Sequence, residues 1–201
     1  QRLADWLAAL FDTKYTADLS SAPQVGLELA NLRCTVETFI RAKDGPQVAI
    51  LATKPRNWLF NIFRIGEEWQ IWLQAALDLG VSDQGLKANV LQAIGDVQQF
   101  RKEMNAALES YGEALGLFRA VGARLGEANV LAALTRMDVR AGEVAAAEAR
   151  LETILAMRRA IGDLYSEGAD LGNFAIVLLN SGHAQKAQGY ALRARGIFER
   201  I

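Results

Sequence analysis

Few side chains in this sequence could carry out chemistry. Of its 201 residues, His183 is the only histidine and Cys34 the only cysteine. Nucleophilic and acid–base catalysis need such groups within hydrogen-bond reach of each other, and zinc needs three or four ligands. A single histidine after a glycine is typical of a solvated helix end, and a cysteine inside a helix of a buried apolar residue. We therefore expect that the protein is not an enzyme and that it has no catalytic residue, no metal site and no cofactor.

The notable charged residues have structural interpretations. Acidic side chains stand where helices are predicted to begin, and arginines stand where they are predicted to end, as the helix dipole favours. A group near the end of the chain is predicted to be a solvated helix face. The acids are Glu67, Glu68 and Asp163, the helix-ending arginines are Arg119, Arg158, Arg159 and Arg200, and the solvated group is Arg193, Arg195 and Arg200.

A repeat positions these residues. Residues 82–121, 122–161 and 162–201 align without a gap, at a step of 40 residues. A fixed period in this range indicates stacked supersecondary units, each of which buries its apolar face against its neighbours. Glycines punctuate the units at 122, 142, 162 and 182, and Lys102 takes that place in the first unit. Glycine suits the left-handed position just past a helix end.

Matching apolar positions predict two helices in each unit. The first helix has a ladder spaced by three, three and one residues, and the second has a stripe spaced by three and four, both typical of one helix face. The first ladder is Ala88/Ala128/Gly168, Leu91/Leu131/Leu171, Ile94/Leu134/Phe174 and Gly95/Thr135/Ala175. The second is Ala107/Ala147/Ala187, Tyr111/Leu151/Ala191, Ala114/Ile154/Ala194, Leu117/Met157/Ile197 and Val121/Ile161/Ile201.

The columns resemble the tetratricopeptide repeat (TPR). The second unit matches its pattern of large, small, Ala, large and Ala-like positions at Leu131, Thr135, Ala147, Leu151 and Ile154. The usual TPR period is ~34 residues, so the step found here resembles the long-helix variant. HEAT and armadillo repeats have a similar period but lack the alanine columns. The resemblance implies an all-α, right-handed α-solenoid of antiparallel helix pairs, a TPR-like superhelix that binds protein or peptide partners.

Residues 1–79 follow the pattern loosely and are predicted to be N-terminal helices, including a degenerate helix pair, before the three repeats of residues 80–201. Pro55 should kink or split a helix near Lys54. Aromatic residues concentrate between 58 and 72, where we interpret them as filling a helix–helix seam; the alternative is an exposed patch for a partner. They are Trp58, Phe60, Phe63, Trp69 and Trp72.

This upstream part resembles the segment that joins the ATPase core to the TPR sensor in bacterial signal-transduction ATPases of the STAND class and their NB-ARC relatives. Asn31-Leu32-Arg33 matches the helix that opens the superhelix there, and Gly66–Gly80 resembles the corresponding sequence of that segment. No GxxxxGK[ST] run occurs, so any ATPase would lie outside these residues. We expect the chain to be a fragment of a larger bacterial signalling or transcription-regulating protein.

The TPR resemblance also implies a ligand groove lined by the first helix of each unit. Asn and Gln side chains there could pair with both the N–H and the C=O of an extended peptide. The alternative is that these side chains are merely solvated. The implied groove residues are Asn89, Gln92, Asp96 and Gln99, then Asn129, Arg136 and Arg140, then Asn173, Ile176 and Leu179.

Composition limits the partners. Net charge is −1, without the basic excess of nucleic-acid-binding proteins. No apolar run reaches the ~18 residues of a membrane span, and the single cysteine suits a reducing, cytoplasmic setting. We expect a peptide, a protein or a small effector as ligand. The competing hypothesis is a structural scaffold that associates with copies of itself through uncapped solenoid ends.

Overall fold

The computed structural model describes residues 22–54 and 66–201, together with Asp5, and in these residues it is entirely helical. The helices are α1 Ala22–Arg41, α2 Gly45–Thr53, α3 Gly66–Leu79, α4 Gln84–Phe100, α5 Met104–Ala120, α6 Arg124–Arg140, α7 Val144–Ala160, α8 Leu164–Asn180 and α9 Ala184–Phe198. The predicted all-α fold class is confirmed. None of these helices is long and apolar enough to cross a membrane.

The 40-residue repeat is visible in the helix boundaries. First helices begin at residues 84, 124 and 164, and second helices begin at 104, 144 and 184. The turns take positive φ at Gly122, Gly142, Gly162 and Gly182, and at Lys102, where φ is 65°. Among these turns of the three repeats, lysine therefore adopts the left-handed conformation in the one that lacks glycine, at the position that the alignment gives it.

The chain forms two compact units, Gln1–Leu117 and Phe118–Ile201. The predicted boundary at 79/80 differs from this division. The physical reason is that α4, the first helix of the first repeat, shares a core with α2 and α3: Val90, Ala93 and Ile94 are buried in the cluster that contains Leu51 and Leu73. The first helix of the first repeat thus packs with the upstream helices.

In the first unit, the described aromatic residues are interior. Trp69 is fully buried and Trp72 nearly so, and the Trp69 indole N–H donates to the Ala52 carbonyl at 2.7 Å. The seam interpretation is confirmed for these two rings, whereas Trp58, Phe60 and Phe63 lie outside the described residues. Helix α2 ends at Thr53, with Lys54 as its C-cap, so the helix ends where Pro55 predicts.

Cys34 corrects a prediction. Its side chain is exposed on α1 rather than buried. Among the residues of this helix from 28 onward, the buried positions are Leu32, Thr35 and Val36, and Cys34 lies between them in sequence but on the solvent side of the helix.

The second unit consists of α6 to α9, preceded by the last residues of α5. Helix α8 contacts α6, α7 and α9, and α6 contacts α7, so helix pairs adjacent in sequence are adjacent in space. Its core contains Leu151, Leu155, Leu171, Phe174 and Leu178.

Most ladder positions are buried as predicted, but the last column of the second helix is not. Val121, Ile161 and Ile201 are 47%, 43% and 62% exposed, and Ala191 is also exposed. Val121 and Ile161 directly follow the last residues of their helices, and Ile201 lies three residues after the end of α9. The column therefore lies beyond the helix ends, where the chain leaves the core.

Candidate functional site

A small cleft opens in the second unit between α6 and α8, over one residue of α7. It is shallow: the space that it encloses is about 10 Å³, room for roughly one water molecule, and its mouth is open to solvent. It is lined by Ala132, Thr135 and Arg136 of α6, Leu151 of α7, and Asp170, Asn173 and Phe174 of α8. Two predicted groove residues, Arg136 and Asn173, thus share one cleft.

The apolar part of the cleft is formed by Ala132, Leu151 and Phe174. Leu151 and Phe174 are 2% and 1% exposed. The Phe174 ring packs edge-on against Tyr190 of α9, with 4.8 Å between ring centroids. Aromatic pairs favour this edge-to-face arrangement, so Tyr190 of α9 helps to position the Phe174 ring.

Arg136 and Asn173 supply unoccupied polar groups. Arg136 is half-buried and Asn173 is exposed. Within the described part of the chain, neither side chain makes a hydrogen bond or an ion pair. A guanidinium offers five N–H donors and an amide offers both donors and an acceptor. These two side chains can therefore meet a polar ligand without breaking an existing contact.

Beneath Asp170 lies a buried arginine. Arg158, at the end of α7, is 2% exposed. Its Nε donates to Asp170 Oδ2 at 2.9 Å and its Nη2 donates to Asn129 Oδ1 at 2.7 Å. Asp163 Oδ2 lies 3.6 Å from Nη1, which is too long for a hydrogen bond, and Nη1 has no hydrogen-bond partner among the described atoms.

Opposing effects act on the pKa of the Asp170 carboxyl. Burial raises the pKa of this carboxyl above its ordinary value, Arg158 and Arg136 act to lower it, and Asp163 adds to the rise. A buried carboxylate is stabilised only when cations or donors compensate for the water it loses. Arg158 supplies the direct contact and Arg136 the charge from across the cleft.

The buried arginine replaces a phenylalanine at the equivalent position of the other repeats. At the aligned position of Arg158, the three repeats have Phe118, Arg158 and Phe198. At the aligned position of Asp170, they have Val90, Val130 and Asp170. The sequence interpretation treated Arg158 as a helix-end charge and missed Asp170. A comparison of these two columns would have found both, because each breaks an otherwise apolar column.

The remaining groove predictions in the second unit divide in two. Asn129 is half-buried and engaged by Arg158, so it supports the cleft from below. Arg140 is exposed, and Ile176 and Leu179 are 57% and 58% exposed. These three lie outside the cleft lining but on the same two helices.

In the first unit, the groove predictions fare differently. Asn89 is exposed, but Gln92 is 3% exposed, which corrects its assignment to an open groove: every residue of α4 from Val90 to Gly95 is buried. Asp96 accepts a hydrogen bond from the Tyr111 hydroxyl at 2.7 Å. Gln99 is half-buried, and its Nε2 is buried without a hydrogen-bond partner among the described atoms.

The single histidine and the single cysteine belong to different units. His183 is the exposed N-cap residue of α9, and its side chain makes no capping hydrogen bond. Cys34 lies in the other unit. The described residues contain no group of three or more His, Cys, Asp or Glu side chains that could hold a metal ion.

Comparisons with known proteins support the fold alone. No model of a known protein family matches the chain, and no curated protein matches it. The fold is similar to the crystal structure of BtubC (BKLC) from P. vanneervenii, with a TM-score of 0.67. The match covers 99% of this chain and 88% of that one at 16% sequence identity, so it bears on architecture and not on activity.

Proposed function

We propose that this chain is a non-enzymatic binding module whose second unit takes a peptide, a protein segment or a small effector at the cleft between α6 and α8. The observation that carries the proposal is the pair Arg136 and Asn173, which line the same cleft without hydrogen-bond partners within the described residues. Ligand sites combine an apolar surface with a few converging polar groups, and this cleft has both.

The surrounding surface supports a ligand larger than the cleft itself. Ile176 and Leu179 of α8 are exposed, and the exposed Arg140 follows Arg136 by one turn of α6. Side chains three and four residues apart lie on one helix face. A ligand anchored at the cleft would meet apolar groups along α8 and a positive charge along α6.

The TPR-like columns and the upstream Asn31-Leu32-Arg33 segment support a role as the sensor region of a larger bacterial signalling or transcription-regulating protein, in the cytoplasm. In this role, ligand binding would shift an equilibrium between inactive and active forms of that protein. A ligand shifts such an equilibrium only by the difference in its affinity for the two forms.

The test uses two sets of probes on the full chain. One is a displayed library of random peptides, acetylated and amidated at the ends; the other is a panel of amino acids, amines, carboxylic acids, sugars and nucleotides read by thermal shift. The variant is Arg136→Glu with Asn173→Ala, and the matched control is Arg195→Gln, an exposed arginine of α9 that pairs with Glu199.

We expect at least one class of probe to bind the wild type and the control and to lose about tenfold or more in affinity on the double variant, since a charged hydrogen bond contributes ~1.5–3 kcal/mol. The proposal fails if no probe binds, or if every probe that binds does so equally well to the double variant.

A further inference from the structure

We propose that one face of the α8–α9 pair binds an amphipathic helix of a partner protein, in the manner in which α8 itself packs on α6 and α7. This α8–α9 face consists of Ile176 and Leu179 of α8 with Ala191 and Phe198 of α9, and of Glu199, which follows α9. The partner helix carries an apolar stripe and a basic residue that pairs with Glu199. The inference goes beyond the proposed function, since it uses none of the polar groups of the cleft.

The α8–α9 face stands one repeat after a surface that this protein covers with a helix. Helix α8 packs against α6 and α7. Val139 and Leu151, on α6 and α7, are buried in one cluster with Leu171 and Phe174 of α8. The second repeat therefore presents an apolar surface to a helix that has its own apolar stripe.

The third repeat keeps apolar residues at the aligned positions, although they are exposed. Leu179 aligns with Val139 and is 58% exposed, compared with 1% for Val139, and Ile176, one turn earlier, is 57% exposed. Ala191 aligns with the buried Leu151 and is exposed as well. Contiguous apolar side chains at a protein surface are typical of an interaction site. Continuity with the packing of α8 on α6 and α7 favours a helix as the occupant.

The residue after α9 specifies the charge of this helix. Arg119 and Arg159 each contact a glutamate near the start of the following helix, Glu127 and Glu167 respectively. At the aligned position the third repeat has Glu199. A helix that docks in the same way would meet a carboxylate here instead of a guanidinium. Charge complementarity therefore requires a basic residue where α6 and α8 have glutamate.

Glu199 can exchange its present partner for such a residue. Its carboxylate contacts Arg195, four residues earlier, at 3.2 Å, and about two thirds of each side chain is exposed. Exposed ion pairs of this spacing contribute little to stability. The neighbouring Arg200 donates to the Gly196 carbonyl of its own helix. A lysine or arginine of the partner can thus reach Glu199 from solvent.

Phe198 adds a steric requirement. Its equivalent, Phe118, is 2% exposed and lies against the backbone of Gly126, the residue before Glu127. Phe198 is 42% exposed, and its ring makes an edge-to-face contact with Tyr165 of α8. A helix with glycine or alanine just before its basic residue could approach the Phe198 ring as closely as α6 approaches Phe118.

The probe is a peptide with the sequence of α8, residues Leu164–Asn180, acetylated and amidated at its ends. A covalent bridge between positions 172 and 176 keeps it helical, because isolated helices of this length are marginal in water. Three changes fit it to the α8–α9 face, and two remove exposed apolar residues. They are Ser166→Ala, Glu167→Lys and Asp170→Val, then Tyr165→Gln and Leu179→Gln. The matched control peptide differs only in keeping Glu167.

Binding of each labelled peptide to the full chain is measured by fluorescence anisotropy. We expect the lysine peptide to bind with a dissociation constant of about 100 μM or lower. The control peptide should bind about fivefold or more weakly, because it places two carboxylates side by side. On the variant Glu199→Arg the order of the two peptides should reverse, which apolar adhesion alone would not produce.

Two further variants locate the site. Leu179→Gln, at an exposed position that should tolerate it, is expected to weaken the lysine peptide about tenfold, as removal of a buried leucine from an interface implies. Leu125→Gln, at another exposed leucine of the second unit, is the matched control and should change nothing. Arg136→Glu, in the cleft, should also leave binding of this peptide unchanged. Circular dichroism checks that each variant is folded.

The inference is wrong if the lysine peptide does not bind, if both peptides bind equally to the wild type and to Glu199→Arg, or if Leu179→Gln binds as the wild type does. Light scattering at increasing protein concentration tests a second copy of the chain as the occupant. A dimer that Leu179→Gln dissociates would assign the face to self-association and overturn the inference. The proposed function is tested with other probes at Arg136, so either proposal can fail while the other stands.

Discussion

Two helix junctions in the second unit have the same ion pair but different buried side chains. The first lies between the end of α5 and α6, and the second lies between α7 and α8. At the first, Arg119 contacts Glu127 at 2.8 Å, and at the second, Arg159 contacts Glu167 at 2.6 Å. These ion pairs are 40 residues apart and equivalent. Beside the first, the Phe118 ring lies against the backbone of Gly126, where an added Cβ would be 2.3 Å from a ring carbon. Beside the second, the buried Arg158 contacts Asp170.

The difference separates what the repeat requires from what this protein has added. An ion pair between an exposed arginine and a buried glutamate occurs at both junctions, so it belongs to the packing of successive helices. The buried side chain is apolar, Phe118, at the first junction and charged, Arg158, at the second junction, where the cleft lies. We infer that the first junction is optimised for stability, while the second gives up part of that stability for a charged side chain at the cleft.

Removing Arg158 should have the largest effect. Arg158→Ala leaves Asp170 buried without its cation, and breaking one side of a buried ion pair costs about 3–5 kcal/mol. The measurement is the free energy of unfolding in urea at neutral pH. Arg195→Ala, at an exposed pair with Glu199, should change it by less than about 0.5 kcal/mol. A loss no larger for Arg158→Ala would mean that the second junction does not depend on its ion pair.

Gly126→Ala tests the apolar junction. The new Cβ would overlap the buried Phe118 ring, and overpacking of this kind costs about 1–3 kcal/mol. Gly189→Ala in α9 is the matched control, since nothing lies within 4 Å of its Cβ position, and relief of a helical glycine should raise stability by up to about 1 kcal/mol. Thermal unfolding distinguishes the two by sign. Equal shifts would contradict the close packing of Phe118.

Giving the second junction the residues of the first should nearly restore the stability that Arg158→Ala loses. Arg158→Phe with Asp170→Val is expected to lie within about 1 kcal/mol of the wild type or above it, because apolar replacement of a buried ion pair is often neutral or stabilising. Urea unfolding of the single and double variants gives the coupling between the positions. Additive losses would show that the two columns are independent.

The smallest effect concerns pH at the first junction. The hydrogen bond from Arg119, together with Arg124, holds the pKa of Glu127 below its ordinary value of 4.5. The pair therefore stabilises the fold above pH 4.5, and the contribution is lost as pH falls through the lower folded-state pKa. Glu127→Gln should cost about 1 kcal/mol at neutral pH, and the difference from wild type should shrink below pH 4.5. A constant difference across pH would exclude this ion pair as the cause.

The sequence predicted the helices and their order well, because periodicity and turn chemistry act locally. Lys102 in the left-handed turn and the helix end before Pro55 are examples. Exposed Cys34 and buried Gln92 were not predicted, since burial depends on which neighbour covers a helix face. Within the site, Arg136 and Asn173 followed from the TPR resemblance. A comparison of the repeat columns would have singled out Arg158 and Asp170, but that they pair required the knowledge that α7 and α8 meet there.

The ion pair across α7 and α8 also fixes the order in which the repeats can be assembled. The pairs Arg119 with Glu127 and Arg159 with Glu167 are equivalent, so both could form in either order of the repeats. Arg158 and Asp170 have no such equivalents. If the last two repeats exchanged places, Phe118 would face an aspartate in the place of Val130, and the arginine would have no acid opposite it. The repeats are therefore alike in architecture, but the buried ion pair requires that they follow one another in this order.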